Sequence, residues 1–143
     1  MTSNSSPIVE LTRVETFSAS HRLYNPELSE EVNKENFGKC THSNGHGHNY
    51  KWEVTLRGHV NPDTGIVYNL YLLKKEMAAV LEIVDHKNLD VDVDYFRPGR
   101  NVSTTENVAI FLYNSLKQKM KTPELLHKVV VYSTDKNYAT YRG

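Results

Sequence analysis

The alternating segment from His46 to Arg57 constrains the fold more than any other part of the sequence. Successive side chains of a β-strand point to opposite faces of a sheet, so every second residue shares a face. One face would carry His46, His48, Tyr50, Trp52, Val54 and Leu56, and the other would carry Asn49, Lys51, Glu53, Thr55 and Arg57. The pattern therefore predicts a half-buried strand whose two histidines lie on the apolar face.

Other segments also have the composition of strands. The stretch "IVELTRVETFSASH" from Ile8 is rich in β-branched residues and predicts a strand with Phe17, Ala19 and His21 on one face. The sequence "NPDTG" at 61–65 predicts a turn, after which "IVYN" is expected to continue the sheet. Near the end of the chain, "HKVVVYSTDKNYATYR" predicts two strands joined by a turn at "TDKN".

Two helices are predicted between these strands. Apolar residues recur at helical spacing from Leu70 onward, and this helix is expected to end near "VDHKNLD". The capping-box sequence "STTE", which begins at Ser103, predicts a second helix that Pro123 closes. The order β, β, α, α, β, β predicts an α+β fold, an antiparallel four-stranded sheet with two helices on one face. The open edges and the second face of so small a sheet favour an oligomer over a monomer.

Length and charge narrow the classes of protein further. With 143 residues the chain suits one domain, which we expect over residues 8–143 behind a flexible leader at 1–7. Seventeen basic residues balance seventeen acidic ones, so we expect no nucleic-acid partner, and an anionic ligand would need a local cluster of charge. No apolar run approaches the roughly 20 residues that span a bilayer, so no membrane partner is expected. The single cysteine and the lack of a secretory layout in the leader predict a reducing, cytoplasmic setting.

Three histidines are candidate metal ligands. His46 and His48 are two positions apart on one strand face, which puts their side chains about 6 to 7 Å apart. His21 ends another predicted strand on an apolar face and can supply a third imidazole. Three neutral nitrogens resemble an open catalytic zinc site. Two alternatives remain: the histidines are turn residues beside glycines, or Cys40 is a fourth ligand of a closed structural site.

Cys40 and the pair Asp85 and His86 are candidate proton-transfer groups. The neighbours of Cys40, such as Lys39 and Asn44, are polar, and a nearby cation or metal would lower the pKa of the thiol. Asp85 can fix the tautomer of His86, and with Cys40 the two can form a relay. The alternatives are a cysteine that merely packs in the core and a histidine that merely ends a helix.

Five motifs carry a resemblance to a known family. The segments "FSASHRL", "FGKC", "NGHGHNY", "DHKNLD" and "STTENVA" resemble, in this order, motifs of the eukaryotic 6-pyruvoyl-tetrahydropterin synthases, over nearly the whole chain after the leader. The resemblance implies the tunnelling fold, in which three subunits close a β-barrel and two trimers form a homohexamer. It implies zinc as the cofactor on the three candidate histidines and Cys40 as proton acceptor. It also implies that Asp85 and His86 reach in from a neighbouring subunit.

The resemblance further implies a reaction and its substrate contacts. Enzymes of this family convert 7,8-dihydroneopterin triphosphate into 6-pyruvoyl-tetrahydropterin and eliminate inorganic triphosphate, in tetrahydrobiopterin biosynthesis. Glu106 is expected to anchor the pterin, with backbone groups of Thr104 and Thr105 beside it. Arg22 and Lys39 are candidates for holding the triphosphate.

One position departs from the family pattern. The penultimate strand commonly ends in "YETD" in this family, whereas this chain has "YSTD" with Ser133. A hydroxyl cannot carry the charge of the missing glutamate, so Ser133 acts through water, another carboxylate substitutes, or turnover is impaired. Two alternatives remain: a catalytically weakened pterin-binding homologue, which the departure at Ser133 motivates, and an enzyme like the 6-carboxytetrahydropterin synthases, which share the fold and a three-histidine zinc site. A third is a chain that uses zinc for structure alone, which would unfold when the metal is removed.

Overall fold

A mixed five-stranded sheet forms the centre of the structure, a computed structural model that describes residues 6–143. The strand order across the sheet is β3-β1-β2-β4-β5. β1 pairs with β2 in antiparallel fashion along its whole length, and β4 joins β2 to β5 through antiparallel pairs. The strands are β1 (Ile8–His21), β2 (His46–His59), β3 (Lys87–Asn88), β4 (Leu126–Tyr132) and β5 (Tyr138–Tyr141).

The α+β class is confirmed, but the prediction of a four-stranded antiparallel sheet is wrong. β3 is a fifth strand that runs parallel to β1, opposite Ala19 and Ser20. A strand of two residues is too short to leave an alternating pattern in the sequence. The predicted strand "IVYN" is also wrong, because Tyr68 turns inward to bond Glu76 and Asn69 caps the following helix.

Four α-helices lie within residues 6–143, where the sequence predicted two. Ser29 caps the unpredicted first helix by accepting a hydrogen bond from the Val32 amide, and two glutamates lie in its first turn. Such acidic first turns complement the helix dipole. The helices are α1 (Glu30–Phe37), α2 (Leu70–Val84), α3 (Leu89–Asp92) and α4 (Thr105–Lys119).

The predicted capping box of α4 is displaced by one residue. Thr104 is the N-cap, and its side chain accepts a hydrogen bond from the Asn107 amide. Ser103 is buried instead, and its hydroxyl donates to Asp90 at 2.6 Å. The contact with Asp90 therefore occupies Ser103, the residue that local sequence favoured as the cap. With Thr104 as the N-cap, Glu106 is not in the capping-box position.

One apolar core lies between the sheet and the helices α2 and α4. The predicted alternation of β2 is confirmed, because Tyr50, Trp52, Val54 and Leu56 have no exposed surface. Among residues 6–143 most of the opposite face of β1 and β2 is exposed, as at Val14, although Thr55 on that face is buried. The core contacts from the two helices are Leu73, Met77, Val80, Val84, Val108, Leu112 and Leu116.

The predicted leader falls mostly outside the described residues, which begin at Ser6. The carbonyl of Ser6 accepts a hydrogen bond from His59, and that of Pro7 accepts one from the Val60 amide. Among residues 6–143, no helix combines the length and apolar character needed to cross a bilayer.

Candidate active site

Three imidazoles converge where β1 ends and β2 begins. His21, the last residue of β1, lies opposite His46, the first residue of β2, and His48 follows on the same face. The Nε2 atoms of His21 and His46 are 3.2 Å apart, and those of His46 and His48 are 3.0 Å apart. Three nitrogens bound to one tetrahedral zinc at its usual bond length would be about 3.3 Å apart. The spacing therefore fits a metal ion held by all three.

The proton of His21 is fixed on the far side of its ring. Its Nδ1 lies 2.7 Å from the backbone carbonyl of Ser103, which can only accept a hydrogen bond. Nδ1 therefore carries the proton, and Nε2 offers a lone pair towards the other two rings. Burial lowers the pKa of His21 to about 4 and also lowers that of His48. Both imidazoles are thus neutral near pH 7, as metal ligation requires.

Asp90 links the backbone segments that support the histidines, although no role was predicted for it. Its Oδ1 accepts the hydrogen bond from the Ser103 hydroxyl, and its Oδ2 accepts one from the Arg22 amide at 2.6 Å. The Asp90 carboxylate thus links Arg22, which follows His21, to Ser103, whose carbonyl orients the His21 ring. Asp90 is the last residue of "DHKNLD", so it was inside a recognised motif without being singled out.

Tyr50 is a second residue that the sequence prediction missed. Its hydroxyl lies 3.5 Å from Nδ1 of His21, and its ring stacks on Phe17 with 4.8 Å between centroids. Burial raises the pKa of Tyr50, and electrostatic interaction with Asp90 and Cys40 raises it further. The phenol therefore stays protonated beside the three histidines.

Cys40 lies near this group without belonging to the converging ligand atoms. It is half-buried in a short 3-10 helix, and its carbonyl accepts a hydrogen bond from the Leu23 amide. In the part of the chain that the structure describes, only the three imidazoles form the metal-binding group, and the Cys40 sulfur is not among its atoms.

Gly45 allows the close approach of the two strand ends. Its φ of 70° is in the left-handed region, and a Cβ there would lie 2.7 Å from the carbonyl oxygen of His21. Any side chain at this position would push the first residue of β2 away from His21.

Asp85 and His86 contact each other at the surface beside β1. Asp85 Oδ1 accepts the Ser18 amide at 2.9 Å and lies 3.0 Å from Nδ1 of His86. The Ser18 hydrogen bond lowers the pKa of Asp85, and His86 lowers it further. His86 has a φ of 60°, its side chain is 82% exposed, and it shares an open groove with His48. Within residues 6–143 neither member of the pair hydrogen-bonds Cys40, so one chain alone does not assemble the predicted relay.

Glu106 lies at the exposed start of α4. It shares a cleft with Thr105 and with the β4–β5 turn, including Lys136. Across the described residues, its carboxylate makes no hydrogen bond or ion pair, so its acceptors are available to a ligand. Ser133 begins the same turn, where its amide donates to the Asn137 carbonyl.

The two predicted triphosphate residues are neighbours in sequence of proposed site residues, Arg22 of His21 and Lys39 of Cys40. The Arg22 Nε donates to the Thr41 carbonyl at 2.6 Å, and its guanidinium lies 3.8 Å from the centroid of the Tyr24 ring. Lys39 is exposed in the 3-10 helix that contains Cys40.

Fold and site together define an α+β protein with a three-histidine group that could hold a catalytic metal ion. The profile of the family described as 6-pyruvoyl tetrahydropterin synthase matches residues 10–143. The chain belongs to this family of lyases, which confirms the resemblance inferred from the five motifs.

Individual relatives agree with the family. A putative 6-pyruvoyl tetrahydrobiopterin synthase of Caenorhabditis elegans is 56% identical over 137 residues, covering 96% of each chain. The 6-pyruvoyl tetrahydrobiopterin synthase of Homo sapiens is 52% identical over 135 residues, covering 94% of this chain and 91% of its own. The solved structure of Caenorhabditis elegans 6-pyruvoyl tetrahydropterin synthase superimposes with a TM-score of 0.93 at 55% identity, covering 96% of this chain and 97% of that one.

Proposed function

We propose that the chain converts 7,8-dihydroneopterin triphosphate into 6-pyruvoyl-tetrahydropterin with elimination of inorganic triphosphate, and that it requires zinc. The observation that carries the proposal is the convergence of three imidazole nitrogens in a chain that is 56% identical to a putative synthase of this kind. That degree of identity favours the pyruvoyl reaction over a 6-carboxytetrahydropterin synthase reaction.

The residues of the chain divide the chemistry between them. Zinc, when bound, would act as a Lewis acid that acidifies the side-chain hydroxyls of the substrate and the adjacent C–H bonds. Cys40, as the thiolate, removes a proton from one side-chain carbon and returns a proton to another. The Asp85 and His86 pair adjusts the proton affinity of the Cys40 thiol and supplies protons to it. The two electrons that reduce the pterin ring come from oxidation of its own side chain, so no redox cofactor is required.

Binding groups surround this chemistry. Glu106 accepts hydrogen bonds from the 2-amino group and ring NH of the pterin, which its exposed carboxylate can do. Backbone groups of Thr104 and Thr105 lie beside it at the start of α4. Arg22 and Lys39 provide positive charge for the triphosphate.

We further propose that the enzyme is a cytoplasmic homohexamer, a dimer of trimers with the tunnelling fold. The mostly exposed sheet face, with apolar residues such as Ile8 and Val14, supports burial against other subunits. The exposure of His86 supports its action in the site of a neighbouring subunit, since it does not reach Cys40 within one chain.

The decisive experiment supplies the zinc-loaded protein with 7,8-dihydroneopterin triphosphate, identifies the pterin product and follows triphosphate release, with and without prior chelation. We expect a zinc-dependent 6-pyruvoyl product. Tight pterin binding without any product would favour the alternative of a binding protein weakened at Ser133. A carboxylated pterin with acetaldehyde would identify the other branch of the fold.

A Cys40→Ala variant separates the proposed base from a ligand. We expect zinc content and assembly to be retained while turnover collapses, because the thiol is not among the converging metal-binding atoms. Loss of zinc from this variant would instead make Cys40 a ligand.

A further inference from the structure

A cleft of about 270 Å³ beside the candidate metal group is lined by three arginines, Arg22, Arg97 and Arg100. We call it the arginine cleft, and we propose that it binds the triphosphate chain of the substrate as a preformed polyphosphate site. This inference rests on the proposed function for the identity of the substrate, while the site itself can be tested separately.

The arginine cleft is joined to the metal group through the backbone. Arg22 directly follows His21, and Gly45, another lining residue, directly precedes His46. The cleft therefore borders the two strand ends that carry His21 and His46, and a triphosphate chain that passes these strand ends would enter it.

The loop that carries two of the arginines is shaped to hold them together. Arg97 and Arg100 are the first and last residues of a β-turn, closed by a hydrogen bond of 2.9 Å from the Arg100 amide to the Arg97 carbonyl. Pro98 occupies the second position and Gly99 the third, with a φ of 86°, as a type II turn requires. The turn sets the spacing of the two side chains before any ligand arrives, which lowers the entropic cost of binding.

The net charge of the arginine cleft is positive, although the net charge of the whole chain is zero. The opposing groups are Asp90 in the lining and Asp94, which pairs with both Arg97 and Arg100. Both oxygens of Asp90 already accept hydrogen bonds, from the Arg22 amide and the Ser103 hydroxyl.

Donors remain available for an anion within the described part of the chain. Arg22 uses Nε on the Thr41 carbonyl, and Arg97 uses Nε on Asp94, so among residues 6–143 the terminal nitrogens of both have no other hydrogen-bond partner. Planar guanidinium groups suit bidentate contact with phosphate oxygens. A polyphosphate that displaced Asp94 would bridge the two arginines of the turn.

The test measures binding of inorganic triphosphate by calorimetry and the KM and kcat for 7,8-dihydroneopterin triphosphate. Arg97→Gln and Arg100→Gln should each weaken triphosphate binding about tenfold and raise KM by a similar factor with kcat unchanged. Asp94→Asn should have the opposite effect, because it releases both guanidinium groups. Arg142→Gln is the matched control, since Arg142 is exposed and lies outside the cleft.

Unchanged triphosphate affinity in Arg97→Gln and Arg100→Gln, or an equal loss in Arg142→Gln, would overturn the cleft as the binding site. Weaker triphosphate binding with an unchanged KM would overturn its assignment to the substrate. Normal turnover by the unmodified enzyme alongside either result refutes the cleft alone, whereas absence of the pyruvoyl product refutes the proposed function.

Discussion

Replacing Ser103 with alanine tests whether the support of His21 controls metal affinity. The hydroxyl of Ser103 is fully buried and donates to Asp90 at 2.6 Å, while the carbonyl of the same residue orients the imidazole. A lost hydrogen bond to a charged group costs about 1.5 to 3 kcal/mol of stability. Removal of the groups that support metal ligands typically weakens metal binding by about 10- to 100-fold.

We expect Ser103→Ala to lower zinc affinity about tenfold, the lower end of that range, because the backbone carbonyl that contacts His21 is retained. Competition with a chromophoric zinc chelator near pH 7 measures this change, and urea unfolding of the metal-free protein measures the loss of stability. Ser115→Ala is the control, since Ser115 is a half-buried serine of α4 away from the site. A folded Ser103→Ala protein with unchanged zinc affinity, or an equal loss in the control, would refute the reasoning.

Three further outcomes are expected. Ser133→Glu should raise the rate of pyruvoyl formation if the proton relay is incomplete, and an unchanged rate would mean that another group already serves. Tyr68→Phe should cost about 2 kcal/mol in urea unfolding, because the Tyr68 hydroxyl bonds the buried Glu76 at 2.8 Å, whereas Tyr71→Phe, at a 68% exposed position, should cost nothing. With its pKa of about 4 against an ordinary 6.5, His21 stays neutral in the folded metal-free protein while the unfolded chain takes up a proton. Stability should therefore be full above about pH 6.5 and fall by about 3 kcal/mol towards pH 4, and a flat urea-unfolding profile across that range would contradict this.

Elements with a regular pattern could be predicted, and those fixed by single contacts could not. The bounds of β1 match the predicted stretch because that stretch is rich in β-branched residues. α1 escaped prediction since it packs weakly, with Asn33 as its one buried residue, although its Ser29 cap is legible in the sequence. The cap of α4 was misassigned by one residue because Ser103 and Thr104 are chemically similar, and only the distant Asp90 distinguishes them.

The same division holds within the candidate site. The three histidines could be proposed from alternation and a shared face, which depend on local sequence. Tyr50 and Asp90 act through partners far away along the chain: Tyr50 reaches His21 across 29 positions, and Asp90 reaches Arg22 across 68. No local pattern encodes such contacts. Under the proposed function, Cys40 of one subunit meets His86 of another. That contact depends on how the subunits assemble, which the sequence pattern of one chain does not encode.

The backbone conformation of His86 is one that selection for thermal stability alone would not favour. A residue with a side chain pays a conformational penalty at a φ of 60°, of order 1 kcal/mol, which glycine would avoid. A laboratory population screened only for heat resistance would therefore drift towards glycine at position 86 and discard the imidazole. Under the proposed function, the imidazole at position 86 is kept for its chemistry at a cost to local stability.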